Sequence, residues 1–192
     1  MTTNLTNEIV IEIPEFITHV VLSKNRRIKY KTDKKGKLVI ANPRTAGKER
    51  KWKINGQALY SGMNHYLRSK VIKEIKKYLY EYIRPIPVIN EFPICIELII
   101  YDTEGVFNKK GILVSSWDLG NKEFIWMKCF EDALCGNVDF HLEGDKYVPQ
   151  KDKYPAKIKD DSIEFISRRV CSFIKVADSK DRKLVFKINK IQ

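Results

Sequence analysis

Asp118, Asn121, Lys128, Asp132 and the pair Asp160-Asp161 are the residues of this chain whose types and spacing could do chemistry together. Carboxylates offer the hard oxygens that Mg²⁺ prefers, an amide can orient a bound water, and a lysine can stabilise charge growing on a phosphate. Phosphodiester hydrolysis needs a water made nucleophilic near neutral pH and charge neutralised on phosphorus, and divalent ions supply both. The set therefore points to metal-dependent cleavage of a phosphodiester. Asn121, Lys128 and Asp132 are seven and four residues apart, so at about 100° per residue their side chains fall within roughly 20° of one line along a helix. Phe124, Met127, Phe130 and Leu134 recur at threes and fours between them and would bind that helix to a core. Taken singly, each residue has a plainer reading. Asp118 stands where a helix N-cap would stand, Lys128 and Asp132 form an i,i+4 ion pair, and Asp160-Asp161 are ordinary turn residues.

Other elements must position this stripe. Ile9, Ile11 and Ile13 alternate in a short strand stopped by Pro14. Residues 27–31 and 37–40 flank Asp33-Lys34-Lys35-Gly36 and read as a hairpin. From about Gln57 to Ile83 the apolar positions Leu59, Met63, Leu67, Val71, Ile75, Tyr78 and Tyr82 predict one long amphipathic helix, ended by Pro85 and Pro87. Lys70, Lys73 and Lys77 share its opposite face. Ile94 to Tyr101 reads as a central strand covered on both faces, because both alternating sets are largely apolar. The stripe-bearing helix spans about Leu119 to Cys135, a polar insertion fills 136–159, and β-prone runs follow over 163–176 and 184–188. This order indicates an α/β or α+β fold, a mixed sheet carrying two main helices. A single domain over 1–192 is expected, since 192 residues that are 43% hydrophobic suffice for one core.

The formal charge of +12 is concentrated. Residues 24–53 hold thirteen basic side chains (Lys24, Arg26, Arg27, Lys29, Lys31, Lys34, Lys35, Lys37, Arg44, Lys48, Arg50, Lys51 and Lys53) against Asp33 and Glu49. Dispersed lysines would reflect composition alone, whereas a cluster condenses onto polyanions with steep salt dependence. Nucleic acid is the expected partner. Cys95, Cys129, Cys135 and Cys171 form no C-x-x-C pair, and His19, His65 and His141 lie far apart, which argues against structural zinc. No apolar run approaches the roughly 20 residues that cross a bilayer, and the N-terminal stretch lacks a leader pattern. No membrane association and a reducing cytoplasm are therefore expected, the host's cytoplasm if a phage encodes the chain.

At Trp117-Asp118-Leu119-Gly120-Asn121, Lys128, Asp132-Ala133-Leu134 and Asp160-Asp161, the chain resembles the RusA family of Holliday-junction resolvases. These are small homodimeric Mg²⁺-dependent endonucleases, largely from phages and prophages. The likeness runs in order over roughly residues 8–190, and it is specific over 117–134 and 160–161. Gly120 occupies the place of the family's second aspartate, and the spacing from Asn121 to Lys128 is four residues longer than the family pattern. The resemblance implies a RusA-like fold with Asp118 and Asp161 holding Mg²⁺, or Mn²⁺ in its place. It further implies Lys128 on the scissile phosphate, Asn121 orienting a metal-bound water, and Asp132 and Asp160 in support. Glu97, an acid in an apolar strand, must find a partner or a metal, and it is the candidate to replace the acid missing at Gly120. Lys24, Arg26, Arg27, Lys29, Lys31, Lys34, Lys35, Arg44, Lys70, Lys73 and Lys77 would grip the backbone of branched double-stranded DNA. A two-fold dimer would present two sites to a two-fold junction. The alternative is a DNA-binding protein of the same fold that lost cleavage at Gly120.

Overall fold

Apolar alternation produces strand β1, Ile9–Ile13, whose Ile11 and Ile13 are buried while Val10 and Glu12 face out. The computed structural model describes residues 8–14, 19–22, 38–39, 50–54, 59–60, 63–103 and 116–191, with the side chains of 19–22, 38–39, 50–53, 116–122 and 179 outside that description. By their contacts the residues divide into two compact units: residues 1–14, 75–104 and 127–192, and residues 15–74 and 105–126.

In the first unit, β5 (Ile94–Asp102), β8 (Ile166–Lys175) and β9 (Lys183–Lys190) join β1 in a sheet of order β1-β9-β5-β8. β5 pairs parallel with β8 and antiparallel with β9, so the sheet is mixed, as the element order predicts. Ile94, Ile96, Leu98, Ile100 and Asp102 point to one face, where Phe186 stacks on Phe130 with parallel rings 3.8 Å apart. Phe130 belongs to helix α2, Ser116–Leu134, so α2 covers this face. The other face departs from the expected double cover. Ile99 and Val185 are buried there, but Val10 is 52% and Ile174 42% exposed, and Glu8, Glu12, Glu97, Lys183 and Lys187 lie among them in ion pairs. Long charged side chains shield such a surface with their stems while their heads stay wet.

Helix α1 spans His65–Ile83 and is shorter than its periodicity predicts. Leu59 and Tyr60 are helical, but Met63 and Asn64 are not. The Asn64 side chain accepts the Tyr66 N–H at 2.9 Å, an N-cap that starts the helix there. Its buried stripe runs through Val71, Ile75, Leu79 and Ile83, drifting slowly round the helix, and the expected Tyr78 and Tyr82 are half-buried beside it. α2 begins three residues earlier than expected, so Asp118 falls within its first turn and not at its cap. Phe124, expected in the core, is 51% exposed with its ring edge on Tyr60.

The polar stretch after α2 is not plain loop. Phe140–Glu143 (β6) and Lys146–Pro149 (β7) form an antiparallel ribbon turning at Gly144, whose φ of 59° suits glycine. Gly136 ends α2 at φ 74°, with its N–H donating to Ala133 and that of Asn137 to Asp132. In the second unit, β2 (His19–Leu22) pairs antiparallel with β4 (Arg50–Lys53) and parallel with β3 (Leu38–Val39). The strand expected over 37–40 thus has a parallel partner at residues 20–21. Its expected hairpin partner, 27–31, lies outside the described residues.

Candidate active site

Three of the motif residues meet. The Lys128 ammonium donates a hydrogen bond to Asp161 Oδ2 and lies 3.0 Å from Asp132 Oδ1. Lys128 and Asp132 share a face of α2 one turn apart, as their spacing requires. Asp161 comes from the turn five residues ahead of β8. That turn is drawn to α2 by the Lys157 and Ile158 N–H groups, which both donate to Leu134 O, and by the buried Ile158 side chain. Asp160 Oδ1 accepts the Asp161 N–H at 2.8 Å and so fixes the turn.

Sequence reasoning missed three members of the cluster. Lys76 on α1 is 9% exposed, and its Nζ lies 2.7 Å from Asp132 Oδ2 and donates to Asn137 O at 3.1 Å. Asp132 therefore holds one cation on each oxygen, Lys76 inside and Lys128 at the surface. Glu131, 3% exposed, binds Arg169 of β8, which also reaches the Asp161 backbone carbonyl at 3.5 Å. The signal was present in the sequence. Lys76 follows Ile75 and precedes Leu79 and Tyr80 on the apolar side of α1, where a charge needs a partner as much as Glu97 does.

The electrostatics follow from these contacts. Burial pushes Lys128 toward neutrality, but Asp161 and Asp132 outweigh it and raise its pKa well above the ordinary 10.5. The hydrogen bond from Lys128 lowers Asp161 below its ordinary 3.8 against a smaller desolvation. Both groups are fully charged near neutral pH. Burial pushes the Cys129 and Cys135 thiols up to about 12, so neither serves as a thiolate nucleophile.

The remaining expected residues are placed separately. Asp118 and Asn121 stand on the backbone of α2, with side chains outside the described residues. Glu97 lies on the sheet face away from α2, beside Lys187, its neighbour across the ladder at 3.9 Å, so it does not join Asp161. Strand alternation dictates this, since Leu98 and Ile96 take the α2 face. Lys70 is exposed, Lys73 is half-buried, and Lys77 lies 3.5 Å from Asp139. Lys24, Arg26, Arg27, Lys29, Lys31, Lys34, Lys35 and Arg44 lie outside the described residues.

For a divalent ion, Asp161 offers an ionised, 28%-exposed carboxylate of the hard-oxygen type Mg²⁺ takes. Among the described residues no three His, Cys, Asp or Glu side chains cluster closely enough to hold a metal. No described helix is long and apolar enough to cross a membrane. Set against protein-family models, curated proteins and solved structures, the chain matches none.

Proposed function

We propose that the chain is a Mg²⁺-dependent endonuclease that nicks branched DNA, the activity implied by its resemblance to RusA-family resolvases. The observation that carries this reading is the convergence of Lys128, Asp132 and Asp161, motif residues from two separate segments, with Lys128 still 46% exposed. Lys76 neutralises Asp132 from the inside. That leaves the Lys128 ammonium oriented, cationic and reachable by a phosphate oxygen. Asp161, with Asp118, would hold the divalent ion, which supplies an activated water and neutralises charge on the phosphate. Asn121 would orient that water. The concentrated basic charge of residues 24–53 supplies the affinity for the DNA backbone, and a homodimer would cut two symmetric strands.

The test is cleavage of a synthetic four-way junction in Mg²⁺ or Mn²⁺, lost in Asp118→Asn and in Asp161→Asn. Gly120, where the family has an aspartate, favours a second reading: a DNA-binding protein of this fold that does not cut. Tight junction binding with no nicking in either metal would select it.

A further inference from the structure

A bulge decides which arginine of β8 faces α2. Ile166 pairs with Ile94 but Arg168 with Cys95, so Ser167 is one residue too many and the register shifts by one. Without the shift Arg168 would stand opposite Ile96; with it Arg169 does, and shares the face of Ile96 that α2 covers. The bulge thus turns Arg169 toward Glu131 and Asp161.

Stability alone does not account for the Glu131–Arg169 pair. Glu131 is buried, while the Arg169 side chain is 44% exposed, nearly as much as Lys128 at 46%. A buried carboxylate held by one cation gains little over an apolar residue of similar size. What the pair does is orient the guanidinium. Glu131 accepts from Nε with one oxygen and from Nη2 with the other, the latter at 3.3 Å, which fixes the plane of the group. Nη2 also points to the Asp161 carbonyl at 3.5 Å, and among the described residues nothing occupies Nη1. Lys128 meanwhile holds the Asp161 carboxylate. Two half-exposed cations are therefore tied to one residue, each through a different oxygen.

We propose that Arg169 is the second phosphate-binding cation of this site, its guanidinium taking a non-bridging oxygen of the phosphate that Lys128 approaches. Glu131 is its positioning residue. A planar, permanently charged fork suits a phosphate better than a second flexible ammonium would. The inference rests on the nuclease reading and adds to it two residues that the resemblance does not assign.

The full chain is titrated onto a four-way junction in Ca²⁺ at several salt concentrations, and single-turnover nicking is then measured in Mg²⁺. Arg169→Gln should slow nicking about 10²-fold and reduce the slope of log affinity against log salt by about one. Arg169→Lys keeps the charge and loses the fork, so it should restore the slope yet nick about 10-fold slower than wild type. Glu131→Gln should likewise keep the slope and slow nicking. Glu131→Gln combined with Arg169→Gln leaves no charge buried alone, so circular dichroism should show an unchanged fold. This double variant should nick as slowly as Arg169→Gln.

Wild-type nicking in the double variant would mean that Arg169 serves only Glu131, and would overturn the proposal while the nuclease reading stands. An unchanged salt slope in Arg169→Gln would overturn it as well. Wild-type protein that binds the junction without nicking it, with the slope still reduced in Arg169→Gln, would keep the phosphate contact and remove only the cleavage. Wild-type protein that does not bind the junction would sink both.

Discussion

Glu97 and Asp132 are both acids set among apolar residues in the same unit, and they are partnered in different ways. Glu97 meets Lys187 at 3.9 Å, directly across the β5–β9 ladder, with both side chains about 30% exposed. Asp132 is 17% exposed and holds Lys76 and Lys128, and Lys128 carries the contact on to Asp161. A cross-strand pair follows from register alone. The Asp132 cluster requires α1, α2 and the turn before β8 to arrive together, with the Glu131–Arg169 pair of α2 and β8 beside it. An acid in an apolar run is therefore satisfied by a single register neighbour at Glu97, whereas at Asp132 it takes charges from three separate segments.

The largest effect should come from Asp161→Asn, which keeps the shape and removes the charge. Single-turnover nicking of a four-way junction should fall about 10²–10³-fold or more, while Glu97→Gln cuts at the wild-type rate. Equal losses in the two variants would erase the contrast. Next in size is stability. Asp132→Ala leaves the buried Lys76 ammonium with only a carbonyl, which should cost about 3 kcal/mol, read from the denaturant midpoint.

Gly136→Ala tests the same cluster through its backbone. A Cβ there would meet Tyr154 O at 2.6 Å at a φ of +74°, and it would displace the turn whose Asn137 carbonyl binds Lys76. A loss of about 1–3 kcal/mol is expected.

The pH dependence has a defined window. Asp161 is lowered in the fold, so its contribution is present above about 3.8 and lost as pH falls through its folded value. Lys128 is raised, so its contribution is complete below 10.5 and lost as pH rises through its folded value. Thermal melts of wild-type protein and Lys128→Met should therefore differ by a constant amount between about pH 4 and 10. The gap should narrow outside those limits. The smallest effect is that of Glu97→Ala, within about 0.5 kcal/mol of wild type in the same melts.

Periodicity made β1, β5, α2 and β9 legible, because each turns an apolar row into the same core, while β8 was marked by its β-prone composition, only Ile166 of it being buried. The Lys128–Asp132 relation was legible for the same reason. Three features were not. The ribbon at 140–149 alternates Phe140 with Leu142, but its Lys, Asp, Gly and Pro content resembles a loop. The start of α1 depends on a single amide at Asn64, a capping contact that an apolar repeat running through it conceals. Lys76 sits on the apolar side of its helix, yet a lysine beside Lys77 and near Lys73 reads as one more solvated cation.

Strand β9 lies between β1 and β5, and all the other strands precede it in sequence. Ile9 therefore has to find Ile188, closing a loop of nearly the whole described chain. During synthesis β1 has no neighbour to pair with, and β5 stays open on one side until the last segment emerges. Folding of this half should thus be slow and governed by non-local contacts. A break anywhere before Lys183 would strip the sheet of an interior member and leave two hydrogen-bonding rims free to recruit foreign strands.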